Sequence, residues 1–191
     1  MKKLFISLLS VTLLFAACSE KKAQSQQLEE HAGNEEITKA NQTQKALVTI
    51  ETTTYQLSIY KATPFRPTSS VGFVPKKGNQ YVVLDISVKN KTDREINMGV
   101  ILSTAKIRDK QGTVFGDILG SLSAYNLANP DNEKNKENDK IWSEKFPAGE
   151  FHRCVAMGFQ APDHLKEFEI SLPESDDLTM LDKQTKAKFS L

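Results

Sequence analysis

From residue 47 to the end, apolar residues recur at every second position in short runs divided by turn-forming residues. That period marks strands buried on one face. The clearest run is 81–89, where Val82, Leu84, Ile86 and Val88 point one way. Tyr81, Val83, Asp85, Ser87 and Lys89 point the other. Residues 47–60, rich in Val, Ile, Thr and Tyr, predict one strand, with Tyr55, Leu57 and Ile59 opposed to Gln56, Ser58 and Tyr60. Pro64, Pro67 and Pro75 then interrupt pairing, so 63–78 reads as a long connection or an irregular edge.

Residues 97–108 resume strand character, ending with Ala105 and Ile107 against Lys106 and Arg108. Asp109-Lys110-Gln111-Gly112 predicts a hairpin turn, with glycine where φ must be positive, and 113–115 is the return strand. Within 116–142, Ile118, Leu119, Leu122, Tyr125 and Leu127 fall near helical spacing, although Gly120 and two serines weaken it. Residues 130–140 are polar and predict a loop. Residues 151–160 predict a strand with Phe151, Val155, Met157 and Phe159 on one face and His152, Cys154, Ala156 and Gly158 on the other. Phe168, Ile170 and Leu172 mark another strand, stopped by Pro173, and 187–191 a last one. Seven to nine short strands with few helices predict an all-β fold, an immunoglobulin-like β-sandwich over residues 47–191. The single tryptophan, Trp142, precedes a turn, and no internal repeat is present.

The first 46 residues follow another pattern. Lys2 and Lys3 precede an apolar stretch over residues 4–15, broken only by Ser7, Ser10 and Thr12, and then Ala16-Ala17-Cys18. The stretch falls short of the about 20 apolar residues a spanning helix needs. It fits a secretory signal ending in small residues. Leu14-Phe15-Ala16-Ala17-Cys18 resembles the lipobox of bacterial lipoproteins, with Phe15 in place of the usual aliphatic residue. That resemblance implies a signal peptide over 1–17, cut before Cys18, and acyl chains on Cys18. At ~0.8 kcal/mol per buried methylene, two or three chains hold a soluble domain on a membrane. Ser19 stands where Asp would favour inner-membrane retention, which points to the outer membrane in a host with two membranes. Residues 18–46 are dominated by Gln, Glu, Lys, Ser, Asn and Thr, with Leu28 and Ile37 as the only aliphatic residues beyond alanine. Such a segment buries too little apolar area to offset its ordering entropy and reads as a flexible tether spanning about 30 Å. His31 sits in this polar run as a solvated residue.

Composition narrows the function. The chain's 25 Lys and Arg face 24 Asp and Glu. Cleavage removes 17 of 191 residues with Lys2 and Lys3, leaving 174 residues, 23 basic groups and 24 acidic ones. This near-balance argues against nucleic acid, which needs a concentrated basic face. Three His and two Cys are too few for a zinc ribbon or a disulfide framework. With Cys18 acylated, Cys154 is the remaining thiol of an exported chain.

Residues 78–92, GNQYVVLDISVKNKT, resemble the hallmark strand of a family of bacterial lipoprotein domains of undefined role with a telokin-like, immunoglobulin-like fold. Asp109-x-x-Gly112, Pro147-x-Gly149 and Phe159-x-x-Pro162 follow in the family's order. The resemblance covers about residues 47–172. It implies an extracytoplasmic, tethered, non-catalytic module and supplies no active-site residue.

Three chemical readings stand beside it. His152 and Cys154, two apart on one strand, share a face and carry ligand types that suit copper. Met157 has the opposite parity, and only His164 is a nearby nitrogen donor, so a buried Cys154 is the plainer account. As a Cys–His nucleophile the pair lacks an orienting Asp and a Gly-rich oxyanion loop. Asp131, Glu133, Asn135, Glu137 and Asp139 alternate like calcium ligands, but interleaved lysines and a missing glycine favour a solvated loop. Tyr60, Phe65, Phe73, Tyr81 and Tyr125 exceed what one small core holds, which makes exposed aromatics and long loops the expected binding material. The expectation is a lipid-anchored envelope protein acting as a non-catalytic binding or structural module. It needs no cofactor and meets the membrane through Cys18, with a protein partner in or outside the envelope. The alternative is a small-ligand or metal-binding lipoprotein using the His152/Cys154 face.

Overall fold

The alternation resolves into eight strands among the described residues, which are 44–68, 72–116, 118–132 and 138–191 of a computed structural model. The signal segment, Cys18, the tether, His31 and the loop residues Glu133, Asn135 and Glu137 lie outside them. A compact unit spans Ala46–Leu191. Strands β1 (Val48–Glu51), β2 (Tyr55–Phe65), β3 (Asn79–Asn90) and β6 (Phe151–Pro162) form one antiparallel sheet in that order. The second sheet runs β5 (Val114–Phe115), β4 (Lys106–Arg108), β7 (Glu167–Pro173), β8 (Gln184–Ser190). The fold is the expected all-β sandwich.

The single strand expected over 47–60 is two. Thr52 turns the chain between them: its Oγ1 donates to the Tyr55 carbonyl and accepts the amides of Thr54 and Tyr55. β2 also runs through Pro64, so the long connection begins at Arg66. Proline is tolerated there because β1 pairs only with Gln56–Ile59, leaving β2 an edge at Pro64. Residues 97–103 are not a strand. They form helix α1 (Met98–Ser103), whose Asn97 side chain accepts the Val100 amide at 3.0 Å. Met98, Ile101 and Leu102 enter the core from it. Helix α2 (Ile118–Ala128) fulfils the helical spacing there, and a one-turn helix α3 (Asn138–Ile141) closes the polar loop.

The core lies between the sheets. Leu57 and Ile59 of β2, Val82, Leu84, Ile86 and Val88 of β3, and Ile170 and Leu172 of β7 are wholly buried in one cluster. At one end Phe115, Phe159, Phe168 and Phe189 stack from four strands, with Phe159 and Phe168 centroids 4.9 Å apart and 71° between planes. Edge-to-face pairs of this kind add stability beyond area burial. At the other end Tyr55 crosses the core, and its hydroxyl donates to the Pro173 carbonyl at 2.5 Å.

That end also carries the most connected polar side chain. Asn90 is fully buried, and its Nδ2 donates to the carbonyls of Arg94, Phe146 and Pro147 at 2.8, 3.1 and 2.9 Å. Its Oδ1 accepts the amide and hydroxyl of Thr92. Asp176 clamps the neighbouring turn, pairing with Arg94 at 2.8 Å and accepting the Asn97 amide at 2.8 Å. Burial works to raise the Asp176 carboxyl, but the bonds from Arg94 and Asn97 hold it below the usual carboxylate range.

Asn90→Ala removes one of two donors from each of three carbonyls and the acceptor of Thr92, and is expected to cost about 1–3 kcal/mol in denaturant unfolding, with the slope unchanged. Burial, reinforced by Glu174, pushes the Tyr55 phenol well above its ordinary value. The folded state therefore holds that proton more tightly, so the contribution is complete below about pH 10 and shrinks as pH rises past it. Unfolding free energy measured from pH 8 to 11 should fall at the alkaline end, and Tyr55→Phe should flatten that fall.

Candidate functional site

A shift of register in β6 decides what the His152/Cys154 face is. Leu84 pairs with Met157 and Asp85 with Val155, which leaves Ala156 as an extra residue. The expected parity holds only up to that point. His152 and Cys154 face inward, and beyond the shift Met157, Phe159 and Ala161 do so too, whereas Arg153, Val155, Gly158 and Gln160 face out. The Ala156 carbonyl accepts Trp142 Nε1 at 2.8 Å, so the lone tryptophan covers the irregularity.

The two candidate ligands sit in different surroundings. Cys154 is fully buried, and its Sγ donates to Asn138 Oδ1 of helix α3 at 3.1 Å. His152 is half-buried, with Nε2 2.8 Å from Glu150 Oε1 and its ring edge-on to Phe146 at 5.6 Å. Among the described residues, no group of three or more His, Cys, Asp and Glu is placed to hold a metal ion.

The outer face of the first sheet is not the open aromatic surface expected. Helix α2 lies on it, and Leu122 packs with Val83 and Val155 in a second small core, flanked by Ile118, Tyr125 and Trp142. Tyr81 is 3% exposed, and Phe65 meets Tyr125 edge-on at 5.7 Å. Only Phe73 of the five aromatics is exposed. The helix sits close because β6 has glycine beneath it: a Cβ on Gly158 would lie 2.4 Å from Ser121 Oγ. Beside α2, Arg153 pairs with both Asp85 oxygens at 3.1 and 3.0 Å, its side chain 3% exposed. Its guanidinium stacks 3.8 Å from the Tyr60 ring centroid. These groups are built like structural elements, each buried against a neighbour.

The open concave site is on the second sheet. A cleft of about 790 Å³ is lined by the outward residues Arg108 of β4, Glu167 and Glu169 of β7, and Lys186, Lys188 and Ser190 of β8. Register creates it, because Arg108, Glu169 and Lys188 stand in one cross-strand row. The Asp109–Gly112 turn and Leu47 complete the rim. Lys186 is 3.4 Å from Glu169, and the Asp109 carboxylate is occupied by the amides of Gln111 and Thr113. Among the described residues Arg108, Lys110 and Lys188 have no carboxylate, and Glu167 no cation, at ion-pair distance, so the cleft lining mixes four cations with three carboxylates. The sequence reading missed this site because it began the last strand at residue 187, past Lys186. The alternation of Lys186 and Lys188 with Ala187 and Phe189 was the available signal.

A scan of known family models finds no match to this sequence, and a search of curated proteins finds none either. The resemblance to the telokin-like lipoprotein domains is thus not confirmed at the level of a family. Solved structures are similar in fold. A functionally unknown protein from Listeria monocytogenes aligns at 13% identity and a TM-score of 0.51, over 78% of this chain and 83% of its own. A conserved hypothetical protein from Bacillus anthracis aligns at 12% identity and 0.48, over 75% and 92%. A candidate lipoprotein from Bacillus subtilis aligns at 14% identity and 0.47, over 77% of this chain and 39% of its own. The first of these likenesses shows a shared fold.

Two substitutions test the structural reading of these buried groups. Arg153→Met takes both of the arginine's hydrogen bonds from the Asp85 carboxylate and should cost about 3 kcal/mol, while the Arg153→Met/Asp85→Leu double variant recovers much of it. Cys154→Ser should destabilise by about 1–3 kcal/mol. In the native protein the Cys154 thiol should react with an alkylating reagent far more slowly than in urea.

Proposed function

We propose that the chain is a lipid-anchored protein of the bacterial cell envelope, whose sandwich acts as a non-catalytic binding or structural module. The observation that carries this reading is the run Leu14-Phe15-Ala16-Ala17-Cys18 behind a short apolar segment and two lysines. Support for a module without chemistry comes from where the recurring motif residues act. Asn90 ties two connections together, and Gly78, Gly112 and Gly149 occupy positive φ of 81°, 88° and 70° in connections. Asp85 is held in the pair with Arg153. Each of these residues is committed to the backbone or to a buried partner.

An extracellular or periplasmic position follows from the same reading, with the outer membrane as its finer form in a host with two membranes. The mature protein, isolated from its host, should begin at Cys18, and the mass of its first peptide should include the acyl chains. Cys18→Ser should move the protein from the membrane fraction to the soluble one. Retention of the variant in the membrane would refute the anchor. Protease shaving of intact cells then distinguishes an outward-facing domain from one enclosed by the envelope.

A further inference from the structure

The connecting segments at the two ends of the sandwich carry opposite charge. One end is fixed by the pairs Phe65↔Tyr81 and Asn79↔Pro162. It gathers the β2–β3 connection, the β4–β5 turn and the β6–β7 turn. Those segments hold Arg66, Lys76, Lys77, Lys110 and Lys166 against Asp109 and Asp163. Asp131, next to the Asn132 that donates to Tyr125 over Phe65, adds a third carboxylate at this end. The opposite end, around Asn90, consists of residues 91–97, 143–150 and 174–183, with eight carboxylates and four Lys or Arg. The near-neutral total therefore hides a charge separation along the long axis.

Apolar side chains are exposed at both ends, Phe151 and Leu178 at the acidic one, but at the positive end they stand among lysines and arginines. Phe73 and Val74 stand 40% and 60% exposed just before Lys76 and Lys77, and Val114, opposite Arg108 in the β4–β5 pair, is 55% exposed. The cleft borders this end through Arg108 and Lys110 on its rim. Exposed apolar groups mixed with lysine and arginine suit a headgroup boundary, where rings and aliphatic stems enter and charged tips meet phosphate. Leu47, the residue at which segment 18–46 joins the sandwich, lines the same cleft.

We propose that this positive end rests on an anionic lipid surface, so that the acidic end around Asn90 points away from it. The inference rests on the lipid-anchor reading. A few cations and two or three apolar side chains bind a bilayer weakly when the protein is in solution. A covalent tether changes that, because it holds the headgroups at a high effective concentration beside the domain. Weak contacts then suffice to orient the domain.

The test uses the lipidated chain purified from its host, placed in nanodiscs of phosphatidylcholine alone or mixed with phosphatidylglycerol. Each disc carries a trace of gadolinium-chelating lipid. The mass of the N-terminal peptide reports acylation, independently of orientation, so failure of the anchor is read separately. On anionic discs, backbone amides in 76–79, 109–113 and 163–166 should relax several-fold faster than those in 91–95 and 147–150. The contrast should vanish on neutral discs and in molar salt, where the Debye length is about 3 Å. It should also vanish in Lys76→Gln/Lys77→Gln/Lys110→Gln/Lys166→Gln and persist in Lys61→Gln/Lys89→Gln. Equal relaxation at both ends of an acylated protein, or a contrast indifferent to lipid charge, would overturn the proposal. So would shifts of the same amides by soluble poly(glycerol phosphate) when anionic discs produce none, which would make the partner a polymer.

Discussion

Strand β3 is buried on both faces, and the rest of the molecule takes its position from that constraint. Its inward residues, Val82 to Val88, meet the second sheet, while Val83 on the outward side meets α2. A strand in this situation has no register to slip into, because a shift by one residue exchanges two apolar sets and moves Asp85 into the main core. β2 and β6 pair along most of its length, so their irregularities are measured against it. Asn90 at its end extends the same control to the loops.

The period-two pattern made most strands legible, because a half-buried sheet writes its burial directly into the sequence. β3 and β7 stand close to where the alternation puts them. The failures have local causes. In residues 97–103 the apolar content of a strand and of a short buried helix is alike, and only Asn97 as an N-cap marks the difference. In β6 the extra residue Ala156 reverses the parity halfway, which no count of alternating residues reveals. That one residue moved Met157 inward and removed the expected contrast between Met157 and the His152/Cys154 pair.

The candidate site was harder to read than the fold, and for a physical reason. Val83 and Tyr81 looked like surface residues because periodicity describes a single sheet and cannot see a helix laid over it. The cleft, in contrast, depends on three strands far apart in sequence standing in one row. Arg108, Glu169 and Lys188 become neighbours only through pairing, so each looked like an ordinary solvated charge. The motif residues Gly78, Gly112 and Gly149 were legible as turns because their requirement is local.

The position of β1 has a mechanical meaning. It is four residues long, it forms one edge of its sheet, and it follows, through Leu47, on residues 18–46, which the proposed function makes a tether. Pulling on Leu47 while a bound partner holds the sandwich would load this strand before any other. Its pairing with β2 is antiparallel and short, with the Leu47 and Thr52 amides adding one bond at each end, and its one deeply buried side chain is Ile50. Tension applied there would therefore peel β1 away as a short first step and add its length to the preceding segment, while β2, β3 and β6 keep the core closed. A domain anchored as proposed would yield a little under load before it unfolds.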